Sequence, residues 1–143
     1  MIKLKYLFIL TLLTFSLNVF AQSGTYIREN YPTDADGTKL KWTISLQPNG
    51  TFLYHFFRNH LGSVNQEENY YAKGTWKIEG KVILFFSKIG DDINKKFTVN
   101  LNNSKARYIT KSPRDKTNRI VKTAIRFFDS ETFHIPGLEL FKE

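Results

Sequence analysis

The chain has 143 residues, no cysteine and a net charge of +8. The absence of cysteine excludes disulfides, thiolate nucleophiles, Cys-ligated zinc and a lipid-modified cysteine. A chain of this length can bury one hydrophobic core and has no room for a second. Composition therefore predicts a single small basic domain that folds without covalent cross-links.

The first 21 residues have the pattern of a secretory signal peptide. Lys3 and Lys5 precede an apolar run over residues 6–17, and Val19 and Ala21 are the small residues before a cleavage site. The run is shorter than the about 20 residues of a membrane-spanning helix. The alternative, a buried N-terminal helix, has no apolar helical partner downstream. We therefore expect cleavage after Ala21, export to the periplasm or the extracellular medium, a domain over residues 22–143 and no transmembrane segment.

Period-2 alternation of apolar and polar residues predicts β-strands along the rest of the chain. After a short strand at residues 25–29, strands at 39–46 and 51–58 flank the tight-turn sequence Pro48-Asn49-Gly50, which predicts a hairpin. On one face of this hairpin lie Leu40, Trp42, Ile44, Leu46, Phe52, Tyr54 and Phe56.

A second hairpin is predicted from residues 70–78 and 81–88, joined at Glu79-Gly80. One face of its first strand carries Tyr70, Ala72, Gly74, Trp76 and Ile78. The remaining strands, for a total of about ten, are predicted at residues 96–101, 105–110, 119–127, 132–135 and 138–141.

These short connections predict an all-β fold in which consecutive strands pair antiparallel as an up-and-down meander. A sheet of this length hides its edges by closing into a small barrel, with a β-sandwich as the alternative. The longer polar loops at residues 30–38 and 59–68 would guard the mouth of such a barrel.

Several motifs occur in an order and spacing that resemble those of lipocalin-like small secreted β-barrels. They are Gly24-Thr25-Tyr26, Asn49-Gly50-Thr51-Phe52, Gly74-Thr75-Trp76-Lys77, Val82-Ile83-Leu84 and the short-strand pattern of residues 126–143. The resemblance implies an up-and-down barrel with a cavity for a small hydrophobic ligand. The alternative is a barrel filled by its own aromatic side chains.

The sequence contains no constellation typical of catalysis. His55, His60 and His134 lack the spacing of a familiar metal site, and there is no Gly-x-Ser-x-Gly motif. The adjacent Glu67 and Glu68 diverge in a strand and suit no glycosidase. We therefore expect no enzyme, metal or cofactor; a hydrolase would require His55 or His134 to meet a serine or a carboxylate in the folded barrel.

The leading hypothesis is an exported, non-enzymatic binding protein that holds a small apolar or amphipathic ligand. Aromatic side chains on the inward faces of the strands would form the walls, with a few polar groups fixing orientation. The candidate ligand-binding residues are Trp42, Tyr54, Phe56, Tyr70 and Trp76.

Basic residues concentrate in the window 105–126, where eight lysines and arginines accompany a single acid, Asp115. A solvated surface accounts for such a run. The alternative function is an interaction module that docks on an anionic lipid, an acidic polysaccharide or an acidic protein, with Arg114, Lys116 and Arg119 as candidate contacts. No nucleic-acid-binding motif accompanies the charge, so nucleic acid is not expected as a partner. The oligomeric state does not follow from the sequence.

Overall fold

The computed structural model describes residues 21–30, 37–60, 62, 64 and 66–143. Eight antiparallel strands follow one another around a closed barrel, which confirms the predicted all-β meander and its closure. The strands are β1 (Gly24–Asn30), β2 (Lys39–Leu46), β3 (Thr51–Asn59), β4 (Glu67–Glu79), β5 (Val82–Phe86), β6 (Lys105–Ile109), β7 (Ala124–Asp129) and β8 (Glu139–Lys142). Residues 1–20 of the predicted signal peptide, and residues 31–36 of the first long loop, lie outside the described residues.

The first predicted hairpin forms as the turn chemistry indicates. Leu46 of β2 faces Phe52 of β3. Between them the amide of Gly50 donates to the carbonyl oxygen of Gln47 (3.0 Å), and the amide of Thr51 donates to Asn49 Oδ1 (3.0 Å). Gly50 has φ 86°, a left-handed conformation that favours glycine. The turn and the alternation of the strands therefore lead to the same β2–β3 register.

Two predicted strands are absent from the described residues, which accounts for eight strands where about ten were expected. At the predicted strand 96–101, the side chains of Asn94, just before it, and of Asn100 accept hydrogen bonds from nearby backbone amides. Such local bonds compete with a sheet ladder. The segment bonds to β4 at one amide, from Val99 N to Tyr71 O (3.0 Å). Residues 132–135 form a turn closed by the amide of Ile135 and the carbonyl of Thr132. In addition, β7 begins at Ala124 rather than at residue 119.

The barrel closes because β1 pairs with both β2 and β8. Tyr26 faces Ile44 on one side and Lys142 on the other, and the amide of Glu143 donates to the carbonyl of Thr25 (3.0 Å). Closure satisfies the backbone groups that a sheet edge would leave unpaired.

The middle of the barrel is filled by aromatic side chains. The rings of Phe52 and Phe85 meet edge to face with centroids 5.1 Å apart, and those of Phe85 and Phe127 are 5.2 Å apart. Gly74 permits the close approach of both β5 and the Phe52 ring, because a Cβ added there would lie 2.0 Å from the carbonyl oxygen of Phe86 and 3.0 Å from Cε1 of Phe52. The other fully buried apolar residues here include Tyr26, Ile44, Leu46, Ile83, Ala106, Ile125 and Leu140.

Antiparallel order gives the barrel two distinct ends. At the hairpin end lie the connections β2–β3 (residues 47–50), β4–β5 (80–81) and β6–β7 (110–123). At the opposite end, called the cavity end because the barrel is hollow there, lie the connections that follow the first, third, fifth and seventh strands. This division decides which sequence-predicted site residues can meet.

Candidate ligand-binding cavity

Three aromatic residues form a row across neighbouring strands on the inside of the barrel. Trp42 of β2 faces Phe56 of β3, and Phe56 faces Tyr70 of β4. Ring centroids are 5.1 Å apart in the first pair and 6.0 Å in the second, with interplanar angles of 21° and 19°. The row is a nearly continuous apolar wall.

The row faces a cavity of about 460 Å³ at the cavity end, open to solvent on one side. Its lining is Leu40, Trp42, Tyr54, Phe56, Arg58, Tyr70, Val99, Thr132, His134 and Ile135. Small-molecule sites occupy roughly 300–1,000 Å³, so the cavity has the size of a single small ligand.

Burial keeps the deep part of the cavity uncharged. Tyr54 is 4% exposed, and loss of solvation raises the pKa of its hydroxyl far above the ordinary value. Tyr54 therefore stays protonated and retains a hydroxyl that can donate a hydrogen bond. Tyr70, nearer the end of the barrel, is 37% exposed.

Charged groups lie one row above the aromatic wall. Leu40, Arg58 and Glu68 face one another in the register of β2, β3 and β4. The guanidinium of Arg58 pairs with the carboxylate of Glu68, and His60 Nε2 lies 3.7 Å from the same carboxylate. Arg58 thus places a cation at the rim, held by a partner that is itself half-buried.

The rest of the cavity wall comes from segments outside the strands. Val99 belongs to the segment that bonds to β4, and Thr132, His134 and Ile135 belong to the β7–β8 connection. The hydroxyl of Thr132 donates to the carbonyl of Asn100, which joins the two segments. Ile135 is 1% exposed and anchors this side in the core.

Four of the five predicted ligand-binding residues line this cavity, and the fifth does not. Trp76 lies toward the hairpin end, 5% exposed, and its indole Nε1 donates to the carbonyl of Gln47 (3.0 Å). It points inward as the alternation predicts, but β4 is long and carries Trp76 six residues beyond Tyr70. Its placement assigns it to the packing of the barrel.

The remaining lining residues are not among the candidate ligand-binding residues predicted from the sequence. Alternation places Leu40 on the same face as Trp42, and one further step of it from Phe56 would have added Arg58. Val99, Thr132, His134 and Ile135 carry no comparable signal, because irregular segments have no periodicity that indicates which side chains point inward.

The basic window 105–126 does not form one surface. Lys105, at the cavity end, pairs with Asp129 (3.3 Å), whereas Arg107 and Arg126 face each other on the barrel wall. The three candidate contacts Arg114, Lys116 and Arg119 lie on the β6–β7 connection at the hairpin end. The topology therefore separates these cations from the cavity.

The histidines do not assemble into a site. His55 Nε2 is 2.7 Å from Asn69 Oδ1, and its ring stacks on Tyr71 on the outer face. His134 lies beside Phe133, with ring centroids 5.0 Å apart. Within the part of the chain that the structure describes, no three His, Asp or Glu side chains are grouped as metal ligands would be.

The fold defines an eight-stranded antiparallel meander barrel, packed in its middle and hollow at one end. No family model, curated protein or solved structure matches the chain. None of the helical residues among those described forms a helix long and apolar enough to cross a bilayer.

Proposed function

We propose that the protein is an exported binding protein that holds one small apolar or amphipathic molecule in the cavity of the barrel. The observation that carries the proposal is the aromatic row of Trp42, Phe56 and Tyr70 facing a cavity of about 460 Å³. The resemblance to lipocalin-like secreted barrels and the signal-peptide pattern of the first 21 residues support the same proposal.

The aromatic row favours an apolar ligand. Trp42 and Phe56 are half-buried and Tyr70 is 37% exposed, although all three lie on the inward face of the sheet. Covering apolar surface stabilises a complex by about 25 cal/mol for each Å² removed from water. A ligand that covers these rings therefore gains affinity from the hydrophobic effect, which also stabilises the folded barrel.

The lining also has a few polar groups, which favour a ligand with one polar part. Arg58, Thr132 and His134 contribute donors and acceptors, whereas Leu40, Val99 and Ile135 continue the apolar wall. In this arrangement the apolar part of the ligand packs on the aromatic row and its polar part lies near Arg58. Few polar groups within an apolar wall are typical of sites that fix a ligand's orientation.

Native mass spectrometry of the protein purified under mild conditions tests whether such a molecule is bound. A mass excess that disappears on denaturation supports the proposal and gives the size of the ligand. The binding of a neutral apolar fluorophore, N-phenyl-1-naphthylamine, is then titrated so that the site can be mapped with variants.

The informative variant is Val99→Trp, which fills the cavity from the segment that is hydrogen-bonded to β4. Its matched control is Leu53→Trp, which adds the same ring to an outer-face position that is 46% exposed. We expect Val99→Trp to abolish saturable fluorophore binding and Leu53→Trp to retain it. Equal binding by both folded variants, together with a bare mass in the native spectrum, would overturn the proposal.

A further inference from the structure

A second feature, separate from the cavity, is the β6–β7 connection over residues 110–123. It carries five cations and one acid, Asp115. That acid is engaged within the connection, since its carboxylate accepts hydrogen bonds from the amide and hydroxyl of Thr117 and pairs with Arg119. The internal bonds lower the pKa of Asp115, which stays ionised.

These bonds also give the connection a defined shape without regular secondary structure. The amide of Asp115 donates to the carbonyl of Ser112 (3.0 Å), and the ammonium of Lys111 donates to the carbonyl of Thr117. Arg114 and Lys116 are exposed and make no ion pair with any described residue. Their charged groups therefore face solvent on a loop that is held by internal hydrogen bonds.

The same connection exposes a large aliphatic side chain. Ile120 is 93% exposed and lies in the sequence between Arg119 and Lys122. Beside it, Lys122 Nζ lies 5.9 Å from the ring centroid of Phe141, which is itself 39% exposed. An exposed apolar side chain close in sequence to Lys and Arg is the composition by which proteins bind anionic membrane interfaces.

The two ends of the barrel differ in charge. The three connections at the hairpin end carry six bases and one acid, whereas the described part of the connections at the cavity end carries three of each. The barrel is therefore electrically polar along its axis. An anionic surface attracts the hairpin end, and the cavity end then faces away from it.

We propose that the β6–β7 connection docks the barrel on an anionic phospholipid surface, with the side chain of Ile120 between the headgroups and the cavity turned toward the aqueous phase. A lipid surface is favoured over an acidic polysaccharide or an acidic peptide because a hydrated polyanion needs the cations but has no apolar phase to receive Ile120. The inference does not depend on the cavity binding a ligand.

Co-sedimentation with vesicles tests the docking. The full chain is mixed with vesicles of equal parts phosphatidylcholine and phosphatidylglycerol, and separately with vesicles of phosphatidylcholine alone. We expect binding to the first, a steep loss of it as salt is raised, and little binding to the second. All variants share the same N-terminal residues, so differences among them report on the connection.

Two pairs of variants separate the roles of charge and apolar contact. Arg114→Ser with Lys116→Ser should weaken partitioning roughly twenty-five-fold, because each cation near an anionic surface contributes about fivefold. The matched control, Lys88→Ser with Lys95→Ser, removes two exposed cations at the cavity end and should change partitioning little.

Ile120→Ser should weaken partitioning about fivefold to tenfold. Its control, Ile89→Ser, removes an isoleucine that is 88% exposed at the cavity end.

The proposal is overturned by equal binding to both vesicle types, by insensitivity to salt, or by equal effects of each variant and its control. It is also overturned if the charge variant weakens binding while Ile120→Ser leaves it unchanged, a pattern that shows electrostatic attraction to the vesicle surface without apolar contact. Circular dichroism confirms that each variant is folded, as expected for substitutions of exposed residues.

Discussion

Trp42 and Phe56 lie directly opposite each other in the β2–β3 register, with ring centroids 5.1 Å apart, and both line the cavity. The only other tryptophan, Trp76, is bonded to the carbonyl of Gln47 and does not line the cavity. The two tryptophans therefore report on different parts of the barrel, which permits a direct optical test.

We predict that N-phenyl-1-naphthylamine quenches the emission of Trp42 more strongly than that of Trp76. The two emissions are separated by measuring Trp76→Phe, which retains Trp42, and Trp42→Phe, which retains Trp76. Energy transfer falls steeply with distance, so the retained Trp42, which lines the cavity, should lose more emission than the retained Trp76, which does not. Equal quenching in the two variants would place the fluorophore outside the cavity.

Phe127 and Phe128 are adjacent residues of β7 on opposite faces of the sheet. Phe127 is fully buried against Phe85, whereas Phe128 is 49% exposed. We predict that Phe127→Ala lowers the free energy of unfolding by about 3–5 kcal/mol through cavity formation. Phe128→Ala should lower it by less than about 1 kcal/mol. Urea denaturation measures both, and similar losses would contradict the assigned register of β7.

Gly74 is predicted to tolerate no side chain. A Cβ there would lie 2.0 Å from the carbonyl oxygen of Phe86, a backbone atom that cannot move aside without breaking the β4–β5 pairing. Gly74→Ala should therefore cost about 3 kcal/mol or more of stability.

The control for Gly74 is Gly80→Ala in the adjoining turn. A Cβ at Gly80 meets no heavy atom within 4 Å, and φ is 62°. The left-handed conformation alone should cost about 1 kcal/mol. If the two alanine variants have the same urea midpoint, the close approach at Gly74 is not present in the folded protein.

Asp115 is predicted to titrate below the ordinary range of an aspartate. The hydroxyl and amide of Thr117, and then Arg119, lower its pKa by hydrogen bonding. Because the folded pKa is depressed, the stabilisation is fully present above the unfolded pKa and is lost as pH falls through the folded value. The expected window thus lies below about pH 4, the usual aspartate value.

The pH dependence of the Asp115 carboxyl-carbon chemical shift measures this pKa directly. Thr117→Val removes the hydroxyl that contributes most and should raise the midpoint. Thr98→Val, an exposed substitution in the β5–β6 connection, is the control and should leave it unchanged. An unchanged midpoint in Thr117→Val would contradict the hydrogen-bonded arrangement of the loop.

The sequence alone determined the strand alternation and the turns. It placed Leu40, Trp42 and Ile44 on one face, because successive side chains of a strand point to opposite sides whatever the tertiary contacts. It identified the hairpin at Gly50 because the turn requires left-handed backbone. It also predicted export and a cleavage site, although residues 1–20 lie outside the described residues and these stay predictions.

Tertiary structure alone decided which inward residues meet. The register brought Trp42, Phe56 and Tyr70 into one row and left Trp76 at the other end of β4. It also divided the basic window, since the connection between β6 and β7 returns to the hairpin end of the barrel. Alternation determines the face of a strand, but the position along the barrel axis depends on the pairing of distant strands, which local sequence does not encode.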